Sequence, residues 1–344
     1  MRAFFHPGQR AHDPKHFLSS GAPQPNPEVP ARIDALLGGL ATLGWQPETP
    51  PDAGLEPIAA VHTAEYLAFL QTILARWQRI DGASAEVIPN IHPDRRGASY
   101  PRSAVGQAGF HMADTACPIS GPTWGSAYAS AQCAVAAADA VLAGATAAYA
   151  LCRPPGHHAF ADLAGGFCFL NNSAIAAERV RAAGRRVAVL DVDLHHGNGT
   201  QGVFWRRGDV LTVSVHADPA RFYPFFWGHA HERGEGAGRG ANLNLPIPRG
   251  TGDEGFLQAL AGGIERIRAF APEVLVLALG LDAYEGDPFA GLAVSGPGFE
   301  QIGAAVAGLG LPTVICQEGG YVCEALGDNL ARALGGFETA HALA

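Results

Sequence analysis

Nowhere do the 344 residues hold an uninterrupted apolar run near the roughly 18 to 20 residues a membrane-spanning helix needs. The opening segment, MRAFFHPGQR, lacks the basic stretch, apolar core and small-residue cleavage site of a secretory leader. These two absences give the expectation of a soluble, cytoplasmic protein. The six cysteines (Cys117, Cys133, Cys152, Cys168, Cys316, Cys323) form no CxxC pair and no framework spacing. That argues against a thiolate zinc site or disulfides and suits reduced, buried thiols. Positive charge is not in excess either: a formal net charge of −9 argues against nucleic acid as a partner and tilts toward cationic ligands. Repeats and low-complexity tracts are also missing.

What is present is apolar content, 48% of the chain, enough to bury a large core in one α/β domain spanning 1–344. The 44 glycines and 25 prolines imply many turns and long loops. Apolar residues at three-to-four spacing predict helices over about 30–42, 63–79, 124–144, 172–183, 254–270 and 297–309. Among them lie TAAYALC, RVAVLDVD, VLTVSVH, EVLVLALGLD and PTVICQE, near-continuous apolar runs of the kind found in parallel strands covered on both faces. The reading is an open, mainly parallel, doubly wound sheet. Each run breaks at its C-terminal end into a polar cluster: RPPGHHA (153–159), DLHHGNGT (193–200), HAD (216–218), LDAYEGDP (281–288) and QEGGYV (317–322). Ligands of open α/β sheets bind outside the carboxyl ends of the strands, so all five clusters should converge.

Within DVDLHH, Asp191, Asp193 and His195 alternate with Val192 and Leu194, which puts the three polar side chains on one face of an extended segment. Asp282 ends the next apolar run and supplies a third ligand beside Asp193 and His195, the open three-ligand pattern of a catalytic zinc site. Alone, each aspartate also reads as a cap on a strand end or helix. His157 and His158 follow a rigid Arg-Pro-Pro-Gly turn; the pair suits proton transfer if it faces the metal, and an exposed loop if it does not. Tyr321 reads as a hydroxyl aimed at substrate or as a loop anchor. Phe167 and Tyr223 read equally as walls of a narrow channel or as core.

Taken together, RPPGHHA, GGFCFLNN, DVDLHHGNGTQ, LDAYEGDP and QEGGY resemble the histone deacetylase superfamily, in its class II and acetylpolyamine amidohydrolase branch. The resemblance runs in order from about 100 to 330, with VPARIDALL and VHTAEYLAFL extending it toward the start. It implies an arginase-like fold and zinc-dependent hydrolysis of an N-acyl amide, most plainly of an acetylated polyamine. It further implies Zn²⁺, or Fe²⁺, on Asp193, His195 and Asp282, His158 as general base and then acid, and His157 in electrostatic support. Asp191 and Asn198 would orient the two imidazoles, and Tyr321 would stabilise the oxyanion. A structural K⁺ would sit on Asp191, Asp193, His195, Ser214 and Val215. Gly166, Phe167, Tyr223, Gly319 and, more weakly, Asp114 would line the substrate channel, and a loop at about 80–123 would narrow its entrance and build a homodimer. Three alternatives stay open: a protein acetyl-lysine deacetylase or an amidase for another small amide, a silent reader of acylated amines, and an arginase-like two-metal centre.

Overall fold

In the computed structural model of the chain, residues 1–94 and 99–341 are described. The strands are β1 (Arg2–Phe4), β2 (His16–Ser19), β3 (Ala22–Pro25), β4 (Ala147–Ala150), β5 (Val187–Asp191), β6 (Val210–Ala217), β7 (Asn242–Ile247), β8 (Val274–Leu279) and β9 (Thr313–Gln317). The helices are α1 (Ala31–Thr42), α2 (Glu56–Ala59), α3 (Ala64–Trp77), α4 (Ala104–His111), α5 (Thr123–Leu142), α6 (Asn172–Ala182), α7 (Asn198–Phe204), α8 (Asp253–Phe270), α9 (Gly296–Ala307) and α10 (Leu326–His341).

Seven strands form one sheet in the order β1-β4-β9-β8-β5-β6-β7, and every pair within it is parallel. The five apolar runs read from the sequence are five adjacent strands of this sheet, β4, β9, β8, β5 and β6. Their continuous hydrophobicity follows from burial on both faces. Val187 and Val189 of β5 enter the core beneath α3, α5 and α6, while Ala188 and Leu190 enter the one beneath α1, α8, α9 and α10. Val274 and Val276 of β8 divide from Leu275 and Leu277 in the same way.

From β5 the chain winds outward through β6 to β7, then returns to lay β8 on the other side of β5. The strand order therefore reverses between β5 and β8, and a crevice opens at their carboxyl ends. Register does the rest. Asp191 pairs with Ala278, and Leu279 pairs with Gln317, so the segments beyond the strands, 191–195, 280–282 and 318–321, emerge side by side.

Several elements lay outside the sequence reading, β1, α2, α4 and α7 among them. So did α10, although its buried Leu326, Leu330, Leu334 and Phe337 recur at helical spacing; a Cβ on Gly336 would come 2.2 Å from the Glu300 carbonyl oxygen of α9, so the glycine permits close helix packing. β7 alternates polar and apolar residues and contains Pro246, as an edge strand allows. β2 and β3 form a separate antiparallel hairpin. Part of the 80–123 loop is ordered by α4 and by a bridge between Val87 and Ile119, both buried; residues 95–98 of it lie outside the described ones. Among the described residues no helix is long and apolar enough to cross a membrane. All six cysteines are free thiols, five buried and Cys323 half-buried.

Candidate active site

Beyond β5 the backbone is pinned by its own carboxylates. Asp191 Oδ1 accepts from the Asp193 N–H at 3.0 Å and Asp193 Oδ1 from the His195 N–H at 2.8 Å. Across the crevice, Asp282 Oδ1 accepts from the Leu194 N–H at 3.0 Å, and the Gly319 N–H donates to Asp193 Oδ2 at 2.8 Å. Asp193, His195 and Asp282 are thereby brought together, all buried, with one ligand atom of each within 4.8 Å of the others. Gly319 is part of the cradle: a Cβ there would stand 2.3 Å from Asp282 Oδ2 and 2.5 Å from Asp193 Oδ2.

The electrostatics call for a cation. Burial and repulsion from Asp193 raise the Asp282 carboxyl above its ordinary range. His195 resists its own burial through hydrogen bonds to Asp193 and Asp282, which raise it to about 9. Two carboxylates and one imidazole with a gap between them form a set that suits Zn²⁺ or Fe²⁺. A second group, His157, Cys168 and Glu318, is equally compact, but the Glu318 carboxylate is already taken by the Gly156 and His157 N–H groups and the Ser173 hydroxyl.

The histidine pair differs in charge. His157 Nδ1 meets Asp191 Oδ2 at 2.9 Å; burial works against its charge, yet Asp193 and Asp191 raise it well above the ordinary histidine range. His158 lies 4.0 Å from it, ring to ring, with Nδ1 at 2.6 Å from Asn198 Oδ1. Burial and the neighbouring His157 and His195 drive His158 well below that range, so it stays neutral. Its Nδ1 hydrogen is directed at Asn198, which leaves Nε2 as a free acceptor.

A pocket of about 340 Å³ opens over this floor. His158, His195, Gly166, Phe167, Tyr223, Tyr321 and Asp114, all marked from the sequence, line it. A Cβ on Gly166 would lie 2.4 Å from His158 Cδ2, and the residue has φ +52°, so glycine is required there on both counts. Phe167 itself is at φ +69°, and Ser20 and Phe225 of the same pocket at +50° and +60°. Such clustering of left-handed non-glycine residues is typical of sites where the surroundings hold strain in place. Tyr321 lies between the rings of Phe167 and Phe289, and burial raises its hydroxyl well above the usual value, so it remains a proton donor. The Asp114 carboxylate accepts from Tyr223 Oη at 2.7 Å, the Gly166 N–H at 3.1 Å and the Ala116 N–H at 2.8 Å, so it braces the wall.

Ser214 pairs with Asp191 across β5 and β6, and Val215 follows it in β6. Beside them is a narrow polar void bounded by Asp191, His196, Thr212 and Ser214. His196 Nδ1 is buried there with no hydrogen-bond partner among the described residues.

The sequence reading did not mark several site residues. Phe222 stacks on His195 at 5.1 Å, and Phe17 brings the β2–β3 hairpin to the mouth. Asp287 accepts from the Tyr321 N–H at 2.9 Å and the Phe289 N–H at 2.9 Å. Arg32 of α1 donates to the carbonyls of Glu318 at 2.7 Å and Gly320 at 2.6 Å, with its guanidinium 4.9 Å from the Tyr321 ring. LDAYEGDP held a signal for Asp287, a second acid in the same cluster. Arg32 had none.

Known proteins resemble this chain in sequence and in fold. Residues 26–337 match the histone deacetylase domain. The acetylpolyamine amidohydrolase of Burkholderia pseudomallei is 47% identical over 338 residues, 98% of either chain, and that of Mycoplana ramosa 40% identical over 98% of this chain and 99% of its own. A crystal structure of acetylpolyamine aminohydrolase from Burkholderia pseudomallei superimposes with a TM-score of 0.95 at 47% identity, covering 99% of both chains. The chain belongs to the histone deacetylase family, alongside its acetylpolyamine amidohydrolases, and is an amide hydrolase.

Proposed function

We propose that the chain, acting as one catalytic domain, hydrolyses the N-acyl amide of a small acylated amine, an acetylated polyamine above all. The observation that carries this reading is the buried Asp193–His195–Asp282 cradle facing a neutral His158 and a protonated Tyr321 at the foot of a narrow aromatic pocket. The names and near-complete coverage of the relatives support the substrate class.

Asp193, His195 and Asp282 would hold Zn²⁺ or Fe²⁺, which when bound supplies a Lewis acid for the water and the acyl carbonyl. His158 accepts the proton of the attacking water at Nε2 and returns it to the departing amine nitrogen. His157, charged and held by Asp191, favours the developing negative charge nearby. The Tyr321 hydroxyl donates to the acyl oxygen as it becomes an oxyanion. Phe167 and Tyr223 pass the linker between ring faces and keep water from the amide. A structural K⁺ would be held by side-chain and backbone oxygens of Asp191, Asp193 and His195, with Ser214 and Val215 of β6 beside them.

Tyr321→Phe is the direct test. Loss of one oxyanion donor should lower kcat by roughly 10²–10³-fold, with zinc content and melting temperature retained. Full turnover in that variant on acetylputrescine would sink the assignment. An acetyl-lysine peptide assayed beside acetylputrescine separates the protein deacetylase reading, which the narrow pocket disfavours. Light scattering checks the homodimer that the 80–123 loop would build, and a monomer would remove that part.

A further inference from the structure

Apart from its histidines, the pocket wall carries two ionisable side chains of opposite charge, Asp114 and Arg221. Asp114 is committed to the protein, since its carboxylate already accepts from Tyr223 Oη and the backbone N–H groups of Gly166 and Ala116. Arg221 is not. It is exposed at the rim, and among the described residues its guanidinium has no ion pair and no hydrogen bond; only its backbone N–H is directed at Asp218 O, at 3.5 Å. The same residue borders an adjoining recess of about 350 Å³ that also contains Arg249. The Arg249 guanidinium sits 5.2 Å over Phe222, whose other neighbour is the His195 ring. The uncommitted charge on the pocket lining itself is therefore positive among the described residues; the adjoining recess holds Asp218 as well, whose Oδ1 accepts from the Ala220 N–H, and the whole chain is at −9.

We propose that Arg221 sets the charge selectivity of the mouth, disfavouring acylated amines that carry more than one further positive charge and favouring those with a single cationic, neutral or carboxylate end. The inference rests on the amide-hydrolase reading and deepens it. A substrate whose carbonyl reaches the floor must lead the rest of its chain out past the lining to which Arg221 belongs. The net negative charge of the protein attracts amines from a distance in proportion to their charge and is screened by salt. Arg221 acts on the bound chain itself, where each additional ammonium meets a like charge in partly excluded water. A carboxylate in that place would meet a planar, multi-donor partner.

The test compares kcat/KM for N-acetylpentylamine, acetylputrescine and acetylspermidine, which carry zero, one and two ammonium groups beyond the amide, in the wild type and in Arg221→Ala, Arg221→Glu and Arg221→Lys. For two charges several ångströms apart in a wet rim, the acetylspermidine-to-acetylpentylamine ratio should rise roughly threefold to tenfold in Arg221→Ala. It should rise further in Arg221→Glu and stay at the wild-type value in Arg221→Lys. Turnover with a ratio that does not move in Arg221→Ala or Arg221→Glu overturns this inference and leaves the amide reading standing. No turnover of any of the three by the wild type, with zinc bound, overturns both.

Discussion

Replacing Arg32 by methionine should damage both stability and turnover, although the residue is not one of the candidate metal ligands and does not itself line the pocket. Arg32 is fully buried in the first turn of α1 and pairs with Glu28 at 2.6 Å. Its Nε and Nη2 donate to the carbonyls of Gly320 and Glu318, in the loop that carries Tyr321. Methionine fills much of the volume but leaves two buried carbonyls without a donor and Glu28 with one cation, Arg153 at 2.9 Å. Removing one partner of a buried pair costs about 3–5 kcal/mol, and the surviving Arg153 contact places this case near the lower end. At an unfolding entropy of about 2.1 cal/mol/K per residue, such a loss lowers the melting temperature of a chain this size by about 4–7 °C. Tyr321 should lose its alignment as well, since the carbonyls of residues 318 and 320 are what the guanidinium fixes. The assays are differential scanning calorimetry and kcat at a temperature where the variant is fully folded. A drop in melting temperature with kcat intact would refute the positioning argument; no drop at all would refute the energetic one. Glu28→Gln sharpens the case, because it leaves two buried guanidinium groups without their anion and should be worse than Arg32→Met. The double variant Glu28→Gln/Arg32→Met should then lose less than the sum of the single changes.

Two further outcomes follow from the same contacts. Burial alone would raise the Glu28 carboxyl, but Arg153 and Arg32 hold it below its ordinary value. Its contribution to stability is therefore complete above the unfolded carboxyl range near pH 4.3 and is lost as pH falls through the depressed folded value. Melting temperatures from pH 6 down to 3 should fall in the wild type and fall less steeply in Glu28→Gln; parallel curves would contradict the assignment. Gly319→Ala places a methyl group 2.3 Å from Asp282 Oδ2 and 2.5 Å from Asp193 Oδ2, which must force the two carboxylates apart. Bound zinc, measured by atomic emission after dialysis, should fall well below one per chain, and a full complement would show that the cradle tolerates the shift.

The sheet and the floor of the site were legible in the sequence for a common reason. Strands buried on both faces must be apolar without interruption, so the five inner strands and their ends could be recognised within a few residues of chain, while the edge strands β1 and β7 were not. The polar residue after each end had nowhere to go but the crevice. Asp193, His195, Asp282 and His158 come together because β4, β9, β8, β5 and β6 are neighbours, and an open α/β sheet collects whatever follows its strands. α10 was legible too, since Leu326, Leu330, Leu334 and Phe337 recur at helical spacing, but the sequence reading did not include it; what the sequence hides is the close α9–α10 approach that Gly303 and Gly336 permit.

The mouth was much less legible, because its residues are placed by contacts between segments far apart in sequence. Phe17 reaches the pocket from a hairpin that nothing in residues 16–25 announces, and meets Phe167, 150 positions later, at 5.7 Å. Arg32 reads as the solvent-facing charge of an amphipathic helix, and only the 288-residue separation from Gly320, closed at 2.6 Å, makes it part of the Tyr321 loop. The division has a physical consequence for specificity. Chemistry at the floor depends on strand ends that the sheet holds rigidly. On the reading proposed above, discrimination among amines rests on the rim, where Leu18, Phe225 and Arg221 are exposed. Substitutions at the rim should therefore change which amine is released at small cost in stability, whereas substitutions at the floor, such as Gly319→Ala, should affect metal binding and turnover of every substrate together.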